Sequence, residues 1–188
     1  MERIEKITRV LTMPPLVTGL TVLLLYEVQA LNMMEFIMAE GCLLFFPALA
    51  YPFREIFHIG KDRRSGQRTT AMIFSCFSYS YGFIWSLTSN AGMVCKVLFT
   101  SYILSVIALL IANKLCHFKA SGHACSTTAP MVLLSWQVSP YLVLPSLGLV
   151  LAVYYSSIKL KQHTLGQLIA GSAFSILAGL ISILLFNN

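Results

Sequence analysis

The stretch GMVCKVLFTSYILSVIALLIANKLCHFKASGHACSTTAPMVLLSWQV, residues 92–138, decides the fold. It opens on an apolar run over about residues 92–115, breaks at a polar turn near 116–123, and turns apolar again to about 138. A bilayer's hydrocarbon core takes about 20 helical residues, so the stretch reads as a hairpin of two membrane helices. The turn HFKASGHACS, 117–126, gathers Lys119, Ser121 and His123 around Gly122 at the hairpin's tip. So many hydrogen-bond donors in so oily a chain call for a chemical reason.

The rest of the sequence follows the same pattern. Further apolar runs lie at about 10–31, 36–57, 69–89, 140–156 and 166–186, making six to seven membrane segments in an all-α bundle. The 188 residues are 57% hydrophobic and 11% charged, with a mean hydropathy of +0.76; a soluble domain carries about a quarter charged residues. The length suits one integral membrane domain, 1–188. The first run lacks the short apolar core and small-residue cleavage site of a signal peptide and reads as a retained anchor. Pro47 and Pro52 are expected to kink the second helix, and Pro130, Pro140 and Pro145 mark the short fifth and sixth segments.

Following the chain through these segments brings three polar loops, 58–68, 116–123 and 157–165, to the same side as the N-terminus. The opposite side receives only the short turns at 32–35, 89–91 and 137–139. All but Lys96 of the thirteen Lys and Arg residues fall on or beside the first side, which the positive-inside rule assigns to the cytoplasm.

From Arg63 to Asn188 there is no aspartate or glutamate, although Arg63, Arg64, Arg68, Lys96, Lys114, Lys119, Lys159 and Lys161 lie there. Paired-carboxylate hydrolysis and carboxylate-held magnesium are thereby disfavoured in that span. Donors and cations without acids suit an anion. The five cysteines, mostly within apolar runs, read as small packing residues with reduced thiols. Cys116, His117, His123 and Cys125 are zinc-ligand types, but without the paired spacing of zinc sites, and neither a metal nor another cofactor is expected.

The three loops read HIGKDRRSGQRTT, HFKASGHACS and SSIKLKQHTLGQLIAG. They supply Lys61 and Arg68, then Ser121, Gly122 and His123, then His163 with Gln167 four residues on. This set fits phosphoryl transfer without a metal. One histidine nitrogen attacks phosphorus and a second histidine protonates the leaving oxygen. Cations, a serine hydroxyl and backbone N–H groups hold the phosphate oxygens, and a glycine lets the backbone come close at a helix N-terminus.

In residue order the pattern resembles the type-2 phosphatidic acid phosphatase family, lipid phosphatases related to the vanadium haloperoxidases. That family carries K-x6-RP, PSGH and SR-x5-H-x3-D. Here the corresponding stretches are K-x6-RT (Lys61 to Thr69), ASGH (Ala120 to His123) and SS-x5-H-x3-Q (Ser156 to Gln167), so the resemblance spans about residues 58–171. It implies His163 as nucleophile and His123 as general acid, with Lys61, Arg68, Ser121 and Gly122 holding phosphate. Two residues depart from the pattern. Ser157 stands in place of the third-motif arginine, leaving Lys159 or Lys161 as the available cation. Gln167 stands in place of the aspartate that orients the nucleophilic histidine. A carboxylate assisting His163 would have to come from the N-terminal third, with Asp62 nearest in sequence and Glu55 next.

The resemblance implies a membrane phosphatase acting on a lipid phosphate or diphosphate, phosphatidate-like or polyprenyl, through a phosphohistidine. The alternative is a non-catalytic relative that binds phospholipid or another anion in the same pocket. Expected partners are the lipid substrate and membrane lipids, with no nucleic acid; an oligomer is compatible with either reading.

Overall fold

The computed structural model describes residues 10–60 and 62–187, Arg64 by its backbone only. Among these residues there is no strand, and seven helices follow one another. They are α1 (Pro14–Glu27), α2 (Met33–Phe57), α3 (Arg63–Thr88), α4 (Met93–Leu115), α5 (Gly122–Gln137), α6 (Pro140–Lys159) and α7 (Leu165–Phe186). Four of them, α2, α4, α6 and α7, are long and apolar enough to cross a membrane. Helix α5, at 16 residues, extends about 24 Å, short of a core of about 30 Å. Helix α3 is long, at 26 residues, but opens on RRSGQRTT and is the more polar for it.

The helix ends are written in the sequence. Asn32 and Glu35 form a reciprocal capping box at the start of α2, and Thr164 and Gln167 form another at the start of α7. Asp62 caps α3 by accepting from Ser65 N–H at 2.8 Å, and Ser121 caps α5 by accepting from Ala124 N–H at 3.3 Å. Within α2 the bonding pattern widens to a π-helix over Glu40–Phe45, with Phe46 N–H reaching back to Gly41 O. Pro47 follows at once. Its ring cannot fit against the carbonyl four residues earlier, and a local π-bulge accommodates such a break. The disturbance expected at the prolines thus falls in the turn before the first of them.

Helix α4 is the buried element. Val97, Leu98 and Phe99 are fully enclosed, and they share one apolar cluster with Val22, Leu25 and Leu43. Helices α3 and α7 flank α4, α5 packs on α7 and α1, and α6 packs on α5. Close approach of α3 to α4 depends on Gly82, where a methyl group would collide with the Phe99 ring. Around the outside, Leu20, Phe77, Leu151 and Leu184 are exposed; in a hydrocarbon solvent such a surface carries no penalty.

At the end of the bundle bearing the short turns, Glu35 joins two of them. One carboxylate oxygen accepts from Asn32 N–H at 2.8 Å and the other from Gly92 N–H at 2.5 Å, across 57 residues of chain. Glu35 is buried at 4% exposure, so removing it strands two N–H groups. Glu35→Ala is expected to lower stability by about 2–4 kcal/mol. Glu35→Gln should cost less because one oxygen acceptor survives. Thermal unfolding of the detergent-solubilised protein measures both.

Candidate functional site

Three connections meet around a cavity of about 230 Å³ at the opposite end of the bundle. Its wall includes Gln67 and Arg68 from the first turns of α3. Lys119, Ala120, Gly122 and His123 come from the α4–α5 connection and the start of α5, and Gln162 and His163 from the α6–α7 connection. Pro14 and Pro15 at the start of α1 and Tyr51 late in α2 complete the upper rim. No aspartate or glutamate among the described residues lines it.

The two histidines are held in register by one backbone contact. Ser121 N–H donates to the Gln167 carbonyl at 3.0 Å, joining the turn before α5 to the first turn of α7. Gly171, one turn further along α7, lies directly against the Ser121 carbonyl, where no side chain would fit. His123 is two residues beyond Ser121 and His163 four residues before Gln167, so this junction sets their separation. Below it, Thr128 donates to Ala124 O at 2.8 Å and its oxygen accepts from Ser172 Oγ at 2.8 Å, while Ser172 Oγ accepts from Tyr154 Oη at 2.9 Å, tying α5, α6 and α7 together.

His163 has a defined orientation. Gln167 Oε1 accepts from the Thr164 backbone N–H at 3.2 Å and lies 3.1 Å from His163 Nδ1. A backbone N–H can only donate, which identifies the shared atom as the amide oxygen. An amide oxygen only accepts, so Nδ1 carries the proton and the neutral ring keeps its lone pair on Nε2. That is the tautomer an attacking histidine needs. The acids named from sequence are engaged elsewhere: Asp62 caps α3, and Glu55 Oε1 accepts from Arg63 Nε at 3.0 Å and Gln67 Nε2 at 3.3 Å.

The remaining expected site residues divide. Arg68, Gly122, His123 and His163 line the cavity together. Gly122 begins α5 with open space where a side chain would stand. The N–H groups of a first helical turn have no acceptor within the helix and favour an anion. Ser121 is fully buried, its hydroxyl used as the α5 cap and absent from the cavity wall. Lys159 and Lys161 are exposed and off the wall, Lys159 Nζ lying 5.6 Å from the Tyr155 ring centroid. Ser157, in the family's arginine position, is fully buried and likewise off the wall. Lys61 lies outside the described residues. Among those residues no group of three or more His, Cys, Asp or Glu side chains is placed to hold a metal ion.

The sequence reading missed Asn113 and Gln162 on the wall, and the deeper residues Ser75, Tyr79, Tyr102, Ser105 and Ser175. Their one sequence signal is polarity inside apolar runs, which membrane helices also use for packing. Compared with known proteins, the chain matches no family, no curated protein and no solved structure.

Because Gly171 fits only without a side chain, Gly171→Ala should push the Ser121 turn off α7. The expected cost is about 1–3 kcal/mol. Backbone amides of residues 122–125 should then exchange hydrogen faster, as read by mass spectrometry.

Proposed function

We propose that this protein is a metal-independent membrane lipid phosphatase that cleaves a phosphate monoester or diphosphate headgroup through a phosphohistidine. The observation that carries the reading is the convergence of Arg68, His123 and His163 on one acid-free cavity, with Gln167 fixing the His163 tautomer. The order of motif residues, similar to the type-2 phosphatidic acid phosphatases, supports it independently of geometry. In this reading all seven helices are membrane segments, the three motif loops share one face, and the acyl or prenyl tails leave between helices.

The chemistry follows from the roles. His163 Nε2 attacks phosphorus; the N–P bond forms as the bond to the leaving oxygen breaks, and His123 passes its proton to that oxygen. His123, now neutral, takes a proton from water, whose oxygen attacks phosphorus and releases phosphate from His163. Arg68, Lys119 and the α5 N-terminus hold the equatorial oxygens, joined by Lys61 if the family pattern holds.

Gln167 bears on how fast this runs. It orients the ring but brings no charge to stabilise imidazolium, and loss of an orienting carboxylate in triad chemistry costs about 10⁴ in rate. Purified protein in mixed micelles with a chelator should release phosphate slowly from phosphatidate or a polyprenyl diphosphate, and His163→Ala should abolish release. Gln167→Glu keeps the side-chain length, so both bonds to Oε1 survive while a charge is added. It should raise the rate, by up to about 10⁴-fold. A second reading, a non-catalytic anion binder, is favoured by the uncharged Gln167 and by Ser157 buried away from the cavity. It takes over if wild type and Gln167→Glu both release nothing while still binding the lipid.

The positive-inside bias supports a cytoplasmic mouth for the cavity. Single cysteines introduced at Ser65 and Lys161 in a cysteine-free background should resist an impermeant thiol reagent in intact cells and react after permeabilisation. Labelling of both in intact cells reverses the orientation.

A further inference from the structure

The inner part of the cavity holds hydroxyls that their own helices do not use. Thr18 donates to Pro14 O at 2.9 Å, Thr21 to Val17 O at 2.8 Å and Ser182 to Ala178 O at 2.7 Å, whereas the buried hydroxyls of Ser78, Thr100 and Ser157, away from the cavity, make no such bond. Tyr102 Oη and Ser175 Oγ make no hydrogen bond to an oxygen or nitrogen among the described residues. Both residues line the cavity, at 4% and 2% exposure. Ser175 has the Cys125 thiol, a weak partner, beside it, and Tyr102 stands by Thr18, whose oxygen can still accept while its proton goes to Pro14 O, so each hydroxyl has one weak contact in place of a full hydrogen bond. Tyr79, edge-on to Tyr102 with ring centroids 5.6 Å apart, adds another hydroxyl-bearing ring to the same wall.

The depth of Ser175 is set by the α5–α7 junction, and Tyr102 lines the same cavity from α4. Gly171 abuts Ser121, and Ser175 is one turn below it, about 6 Å along the helix. A phosphate held at His123 and His163 would therefore have these two hydroxyls a few bonds down its substituent. Burying a hydroxyl without a partner costs about 1–3 kcal/mol, so two on one cavity wall point to a ligand group that completes them. The cavity, at about 230 Å³, is smaller than the roughly 300–1,000 Å³ that encloses a whole drug-sized ligand. It takes a headgroup and the atoms next to it, not long tails.

We propose that Tyr102 and Ser175 form a specificity subsite for a hydroxyl or ester carbonyl carried on the ligand's backbone a few bonds from phosphorus. The protein then prefers phosphate monoesters of a hydroxyl- or ester-bearing backbone to phosphates attached directly to plain hydrocarbon. The proposal rests on the cavity being a phosphate-lipid site, and deepens that reading by choosing between its substrate classes.

The test compares two single-chain probes of equal length, 1-acylglycerol 3-phosphate and an n-alkyl phosphate. Their binding is measured on the full chain in detergent with His163→Ala, so that turnover does not interfere. The glycerol probe should bind at least about 10-fold more tightly. Tyr102→Phe and Ser175→Ala should each reduce that preference about 5- to 10-fold, and the double variant should erase it. Each change removes at most a weak contact, to Thr18 or to Cys125, so the unfolding temperature without ligand should change little; a large fall in both variants would assign the hydroxyls to packing and overturn the subsite. Equal binding of the two probes, or a preference surviving the double variant, would overturn it too. If the wild type hydrolyses neither lipid, the phosphatase reading fails while this binding comparison still decides the subsite; if neither probe binds, both fall.

Discussion

The hydrogen bond from Ser121 N–H to the Gln167 carbonyl joins two segments whose histidines are 40 residues apart in sequence. It is short, backbone to backbone, and sheltered by the contact of Gly171 with the Ser121 carbonyl. The start of α5 is thereby seated on the start of α7, and His123 and His163 both line the cavity. Gln167 contributes with both ends: its carbonyl fixes the turn carrying His123, while its side-chain oxygen fixes His163. A single residue at the third turn position of α7 therefore couples the placement of both imidazoles. The side-chain bond shares the amide oxygen with the α7 capping box, so the helix start and the ring orientation are one structure.

Around this junction the bundle obeys the membrane rule that polar groups are satisfied internally. Serines and threonines along α1, α5 and α7 return their hydroxyls to carbonyls one turn back, which costs little in a helix. Glu40 is buried within α2, while other charged groups gather at the α2–α3 corner. Arg54, at 9% exposure, donates to Ile59 O at 3.2 Å and so folds the α2–α3 connection down against α3. Glu55 gathers Arg54, Arg63 and Gln67 at the same corner. That corner delivers Arg68 to the cavity one turn further on. Among the described residues the exceptions include Tyr102 and Ser175 at the cavity wall and Ser78, Thr100 and Ser157 away from it.

The two departures from the phosphatase pattern have different physical weights. At Gln167 the geometry of orientation is kept and only the charge is missing, so the ring is aimed but its protonated form is less stabilised. At Ser157 the side chain is short and enclosed, its hydroxyl without a partner among the described residues. Lys159 and Lys161 are exposed and off the cavity wall. In the proposed reaction, Arg68, Lys119 and the α5 N-terminus are the groups on the described wall available to phosphate. A point charge from lysine lacks the paired geometry of a guanidinium, which makes Arg68 the one planar fork on the described wall.

The sequence by itself determined the helices. Apolar runs of membrane length, broken by Asn32, Asp62, Ser121 and Thr164, are local signals, and caps and hydropathy need no tertiary partner to be read. The expected runs and the seven helices agree to within several residues; the largest difference is at α3, whose polar first turns hydropathy alone leaves outside. Motif order also singled out Arg68, His123 and His163. Tertiary structure decided the rest, because it depends on which face of each helix meets its neighbour. Ser121 turned inward to cap α5, Lys159 and Lys161 turned outward, and Gln167 took up both histidine loops at once. Tyr102 and Ser175 could not be told from ordinary packing polar residues until α3, α4, α5 and α7 closed around the cavity that both residues line. A side chain's direction along a helix is fixed by the turn, but what stands opposite is fixed by the packing.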